Sequence, residues 1–205
     1  MTAAVVHDGR MVLLGPFAVK PTLAGGGVLL RPFEPRDIDE MGSILADPEV
    51  LTLTGSVHTS AEAHGRSATL DQATRHWYET RSGQSDRLDL AIIDQASTTC
   101  VGEAVLNELS LENDGCSFRI LIGPAGRDRG LGTAATRLII QHAFRTTSLR
   151  RIELEVFAFN PRAQHVYELA GFTLEGRRRD AHKFDGKYVD ALTMSILRSE
   201  TIGLD

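Results

Sequence analysis

Apolar positions along the chain recur with two periods, and each switch from one to the other marks an element. Residues 28–33 read as a strand. Pro35-Arg36-Asp37 then opens a stretch in which Ile38, Met41, Ile44 and Leu45 recur at helical spacing as far as Asp47-Pro48. Between residues 60 and 80 large apolar side chains are sparse, with Leu70 and Trp77 at helical spacing, which predicts a helical segment over one side of a cleft. Three strand-like runs follow, 88–93, 100–109 and 116–122. Turn signals at residues 94–97 and 112–115 separate them, which predicts an antiparallel meander. A Gly-rich turn leads into a helix over 131–146, then a strand over 151–157, a short helix over 161–170, and terminal strands around Phe172 and over 189–197. Strand, helix, strand, helix, strand in this order implies a parallel pair inside a mixed sheet, an α/β chain with helices flanking a central sheet. Gly25-Gly26-Gly27 is expected to be a joint between a leading segment, residues 1–27 with a strand over 11–14, and a core domain over residues 28–198. Residues 199–205 read as a tail.

With 205 residues the chain fits one domain, and such a domain buries about 70% of the surface of its unfolded chain without a disulfide or metal staple. Its 22 basic against 27 acidic residues leave a formal charge of −5. That balance speaks against nucleic acid as a partner and favours a cationic guest. Cys100 and Cys116 form no CxxC pair and stand near no His cluster of zinc-ligand spacing, so no metal is expected and reduced thiols fit a cytoplasmic protein. His7, Asp8 and Arg10 interrupt the apolar N-terminal stretch, which argues against a secretory signal, and no run suits a membrane span.

Candidate chemistry begins at the Gly-rich turn, residues 120–135, which leaves a strand and enters a helix. Glycines let backbone amides approach an anion and the helix N-terminus favours negative charge, so a phosphate or pyrophosphate is the natural guest; relief of backbone strain alone is the competing reading. Gly130, Gly132 and Ala135 also fit a G-x-G-x-x-A dinucleotide fingerprint, with Glu153 about 20 residues on. However, seven residues intervene between strand and fingerprint, and the upstream meander is not a doubly wound sheet. No Gly-Lys-Ser/Thr follows, so a P-loop is ruled out.

The run Arg127-Asp-Arg129-Gly130-Leu131-Gly132-Thr133 resembles the R/Q-x-x-G-x-G/A acetyl-CoA pyrophosphate loop of the GNAT (Gcn5-related) N-acetyltransferases. Asn160-Pro-Arg-Ala163-Gln-His-Val-Tyr167-Glu-Leu-Ala-Gly171-Phe172 is similar to the second cofactor motif of that family. Leu30-Arg31-Pro32-Phe33 with Asp37, and Glu175-Gly176 with Asp185-Gly186 and Asp190, are similar to the RimJ/RimL branch, which acetylates protein N-termini. The resemblance covers residues 28–198. It implies a GNAT-type acyl-CoA N-acyltransferase fold and acetyl-CoA as co-substrate. The thioester would be held by the backbone of the 120–122 strand, including Leu121 and Ile122, and the acceptor would be a small-molecule or peptide amine. A homodimer is left open.

Amine acetylation by a thioester needs a neutral amine, stabilisation of an oxyanion and a proton for the departing thiolate. Asn160, Ala163, Tyr167 and Ala170 can share one helix face, which in the resemblance meets the pantetheine arm. Tyr167 is then the candidate acid, an ordinary core tyrosine being the alternative. In the alternating run Arg151-Ile-Glu153-Leu-Glu155-Val-Phe157 the two carboxylates share a face. Glu155 stands twelve residues before Tyr167, as in RimI-like enzymes, which makes it the candidate base; Glu103 is its rival. Deprotonating an α-amine of pKa about 7.8 at pH 7 costs roughly 1 kcal/mol, a lysine-like amine roughly 4–5 kcal/mol, so a water-mediated carboxylate suits the first. A protein or peptide N-terminus is therefore the expected acceptor. A polyamine or amino-bearing antibiotic is the alternative within the enzyme reading, and an acyl-CoA sensor without turnover is the alternative outside it. Phe33, Trp77 and Tyr188 are candidate acceptor-pocket residues. Arg177-Arg178-Arg179 reads as a solvated charge run and His165 as a surface residue.

Overall fold

A computed structural model describes residues 4–7, 10–13 and 15–201. In it β1 (Ala4–His7) and β2 (Arg10–Leu13) pair only with each other. Next in the chain come β3 (Leu23–Gly25), β4 (Val28–Arg31), α1 (Pro35–Leu45), α2 (Pro48–Leu53), α3 (Ser60–Ala63) and α4 (Gln72–Arg81). The meander β5 (Leu88–Asp94), β6 (Cys100–Ser110) and β7 (Gly115–Ile122) follows, then α5 (Leu131–Thr146), β8 (Arg151–Phe157), α6 (Pro161–Leu169), β9 (Thr173–Phe184) and β10 (Lys187–Leu197). Strands β3 to β10 form one sheet in the order β3-β4-β5-β6-β7-β8-β10-β9. Every neighbouring pair is antiparallel except β7–β8. The expected mixed sheet with one parallel pair is what forms.

Each face of the sheet is covered by the helices whose apolar stripes the sequence supplies. Ala135, Ile139, Ile140 and Ala143 of α5 pack with Leu88, Leu90, Ile92, Leu106 and Phe118 of the strands on one side. Ile38, Met41 and Ile44 of α1, with Tyr78 of α4, pack on Ala91 and Ile93 on the other. Arg31 and Asp37, both from the branch-like opening motif, are buried and make a bidentate pair (2.5 and 3.0 Å) that ties the start of α1 to β4. Asp37 also accepts from the Glu34 amide at 2.7 Å, so one carboxylate closes the helix N-terminus and neutralises the arginine.

Three expectations change. Gly25-Gly26-Gly27 is not a joint: Gly25 pairs with Val28, and Gly26 and Gly27, at φ +57° and +82°, form the two-residue turn of the β3–β4 hairpin, a conformation that glycine adopts without strain. The sheet thus begins before residue 28, and Phe17 is buried in its core. Asp47-Pro48 ends α1 as expected, yet it also begins α2, because Asp47 accepts from the Val50 amide at 2.9 Å and Pro48 fits the first helical position. The single helical segment expected over 60–80 is two helices, α3 and α4, each with its own capping side chain, Thr59 and Asp71. Residue 14 of the expected leading strand and residues 202–205 of the tail lie outside the described residues.

Candidate active site

The parallel pair at the sheet centre comes apart. β7 and β8 are in register only at Gly115↔Arg151, Cys116↔Ile152 and Ser117↔Glu153. Beyond them β7 continues along β6 as far as Ile122, and β8 along β10 as far as Phe157. The Gly123 amide donates to Val101 C=O at 2.8 Å on the β6 side. By the two-residue alternation of a strand the Leu121 backbone also faces β6, so the N–H groups of Ile120 and Ile122 face the gap. A cavity of about 480 Å³ occupies that gap, lined by β7 (Phe118 to Ile122), β8 (Glu155 to Phe157), α2, the Gly-rich turn and α6.

The floor of the cavity is the turn and the first turn of α5. Gly130 sits at φ +75°, a left-handed conformation open to glycine at little strain, and the Ala134 amide is the first in α5 to bond back, to Gly130 C=O at 3.1 Å. The amides of Leu131, Gly132 and Thr133 therefore lack helical acceptors, and Gly130, Gly132 and Thr133 line the cavity. These free amides fit a pyrophosphate. The side chains of Arg127 and Arg129 do something else. Arg127 donates to Asp47 (2.5 Å), Glu49 (2.6 Å) and Ile122 C=O (3.2 Å), pinning the turn to α2; Arg129 turns to Asp94 at 2.9 Å and does not line the cavity. Arg162 of α6 shares Glu49 with Arg127. Leu131 is buried in the core.

On the α6 side, Asn160 caps the helix by accepting from the Ala163 amide at 3.1 Å, and Asn160, Ala163, Val166 and Tyr167 line the cavity, with His165 at its rim. Tyr167 is buried, its ring edge-on to Phe118 at 6.3 Å and tilted against Phe172 at 5.9 Å. Burial pushes its phenol pKa upward. Ala170 points into the core.

The opposite mouth is built from ion pairs. Glu155 lines it and pairs with Arg178 of β9. Glu103 is buried, accepts from Arg119 at 2.9 Å through Oε1, and holds Oε2 closed to solvent without a hydrogen-bond partner. Burial above all pushes the Glu103 carboxyl pKa upward, against the pull of Arg119. Tyr78 stands beside it, its own phenol pushed up first by burial and then by the Glu103 charge. Thus Glu155, Glu103 and Tyr167 reach one cavity from three elements. The three aromatics expected at the acceptor pocket do not. Phe33 packs on Tyr78 at 4.9 Å within the α1–α4 cluster, Trp77 has the guanidinium groups of Arg81 (4.2 Å) and Arg87 (5.3 Å) over its ring, and Tyr188 is exposed under Lys183 at the β9–β10 turn. In each case a neighbour on the same element, or across it, claims the ring. Arg119, Arg178 and α2 went unforeseen; for α2 the signal was the Asp47-Pro48 cap, and for the arginines only the register shows their partners.

Among the described residues no His, Cys, Asp or Glu group forms a candidate metal cluster, and no helix is long and apolar enough to cross a membrane.

The acetyltransferase (GNAT) domain family matches residues 28–173. Spermidine N(1)-acetyltransferase of Vibrio cholerae is 28% identical over 109 residues, 53% of this chain and 63% of that protein, so the matched stretch is under two thirds of its length. The Escherichia coli enzyme of the same name is 30% identical over 138 residues, 62% of this chain and 74% of the relative. L-amino acid N-acetyltransferase AaaT of Escherichia coli is 25% identical over 175 residues, 82% and 96% of the two chains. The fold is shared with spermidine N-acetyltransferase from Vibrio cholerae, solved in complex with CoA and spermine: TM-score 0.72 at 21% identity, covering 87% of this chain and all of that one. The chain belongs to the GNAT acetyltransferase domain family, and its domain is that of an acetyl-CoA-dependent N-acetyltransferase.

Proposed function

We propose that the protein transfers the acetyl group of acetyl-CoA to an α-amine, on a peptide N-terminus, to which the RimJ/RimL-like motifs point, or on an amino acid, as the name of the AaaT relative suggests. The pyrophosphate meets the free amides at the start of α5, and the thioester carbonyl meets the Ile120 and Ile122 amides, which are placed to stabilise the oxyanion. Glu155, half-exposed and open to water, accepts the amine proton through a water. Tyr167 donates to the departing sulfur; burial that raises its pKa keeps the phenol protonated. Glu103 is the less accessible carboxylate, since Arg119 occupies one oxygen and the other is closed to solvent.

The observation that carries the choice of acceptor is the charge balance at its mouth. Glu103 is matched by Arg119 and Glu155 by Arg178, so no surplus negative charge faces the gap. Such a surplus is what draws a polycation, whereas a single α-amine does not call for one, and that of a peptide terminus is deprotonated at roughly 1 kcal/mol. The spermidine-acetylating relatives favour a second reading, a polyamine acceptor. Thiol release from acetyl-CoA across a panel of amino acids, short peptides, spermidine and spermine separates them. A higher kcat/KM on α-amines supports the proposal and a higher value on the polyamines replaces it. Saturable acetyl-CoA binding without thiol release on any amine would make the domain a sensor.

A further inference from the structure

Two opposite charges stand on the two strands that border the gap. Ser117 pairs with Glu153, and two residues further along each parallel strand, on the same face, stand Arg119 and Glu155. Both line the cavity, yet no ion pair joins them. Arg119 is held on its own side by Glu103, buried with 2% of its side chain exposed, and Glu155 on the other side by Arg178.

The three cavity-lining arginines differ in what they have left to give. Arg127 has Nε, Nη1 and Nη2 all engaged, and Arg162 is drawn to Glu49 and Asp128. Arg119 donates one hydrogen bond, from Nη2 to Glu103, and its side chain is 51% exposed. An arginine anchored at one nitrogen by a buried carboxylate keeps a fixed orientation and presents its remaining donors in a plane suited to an anion.

We propose that Arg119 is an acceptor-binding residue that receives a carboxylate, with Glu103 as the positioning residue that orients it, so that the favoured acceptor is a free α-amino acid: its amine toward Glu155 and its carboxylate toward Arg119. This rests on the α-amine reading above and narrows it. A peptide N-terminus carries an amide where Arg119 asks for an anion, and a polyamine brings a second cation toward a guanidinium.

The test compares L-amino acids with their α-carboxamides by thiol release, each kcat/KM expressed per concentration of neutral amine because the carboxamide's amine is the less basic, in the wild-type protein and in Arg119→Met, Arg119→Lys and Glu103→Gln. The wild type is expected to favour the acid over the amide in kcat/KM by about 10- to 100-fold, as for one charge-assisted contact, mostly through KM. In Arg119→Met the ratio falls toward one, and Arg119→Lys restores part of it. Glu103→Gln raises KM for the acid and leaves KM for the amide where it was; Arg119→Met leaves Glu103 buried without its cation, so melting is recorded alongside, and Arg119→Lys, which keeps a cation on Glu103, carries the test if either of the other variants fails to fold. Equal rates on acid and amide in the wild type, or a ratio unmoved by Arg119→Met, overturn the site and leave α-amine acetylation standing. Spermidine outrunning both, or no thiol release on any amine, overturns the function reading beneath it.

Discussion

Replacing Tyr167 with Phe removes one hydroxyl and little else. The ring lies between Phe118 and Phe172, and Phe fills the same volume. The hydroxyl makes no hydrogen bond within the protein and is not among the buried unpartnered atoms, so it opens onto the cavity. Stability should therefore change by no more than about 0.5 kcal/mol. Catalysis should change far more. Loss of a general acid costs about 10²- to 10⁴-fold in rate, which is about 2.7–5.4 kcal/mol in the barrier. The wild-type phenol, its pKa raised by burial, stays protonated across assays between about pH 6 and 9. No falling limb in the pH profile should then belong to it. Steady-state thiol release with saturating amine, alongside thermal melting, reads both quantities. A kcat within about threefold of wild type would refute Tyr167 as the acid. A large loss of melting temperature would refute the claim that only chemistry was touched.

Other expectations follow from single contacts. Arg127→Met takes the cation from Asp47, leaves Glu49 with Arg162 alone, and frees the turn from α2. Chemical denaturation should show a loss of about 2 kcal/mol, while affinity for CoA falls by less than about tenfold if, as proposed, the amides and not this guanidinium meet the pyrophosphate. Gly130→Ala puts a Cβ on a left-handed residue at a cost of about 1–2 kcal/mol, read as a lower melting temperature together with a raised KM for acetyl-CoA. Arg151, helped by the Ser195 hydroxyl, holds the Glu175 carboxyl down to about 2. A depressed carboxylate stabilises the fold above its unfolded pKa of about 4.5 and loses that contribution as pH falls toward 2. Because the pair is largely solvated, the contribution is at most about 1 kcal/mol. The melting-temperature difference between wild type and Glu175→Gln should shrink through that window; a difference that grows would contradict the sign.

Local pattern told most where the physics is local. The alternation in residues 151–157 put Glu153 and Glu155 on one face, and they share it, both exposed between buried neighbours. Strand and helix order implied the parallel pair, and the glycines at 130 and 132 marked where amides are left free. What stayed hidden depends on partners far along the chain. Arg178 meets Glu155 across 23 residues, and Arg127 meets Asp47 across 80, so neither arginine betrays its carboxylate in sequence. Aromatic residues were misplaced for the same reason: Trp77 and Phe33 have the composition of a pocket wall, but the side they face is decided by the packing of α1 and α4. The gap between β7 and β8 also has no local signature, since it arises from each strand following a different neighbour.

The account turns on acetyl passing from thioester to α-amine in that gap. Acetyl-CoA carrying ¹³C in the acetyl carbonyl, mixed with an L-amino acid and the protein, reports this directly by NMR. The label should move to an N-acetyl amide carbonyl, one CoA thiol being released per amide formed. Thiol release without labelled amide, or binding with neither, would contradict the account.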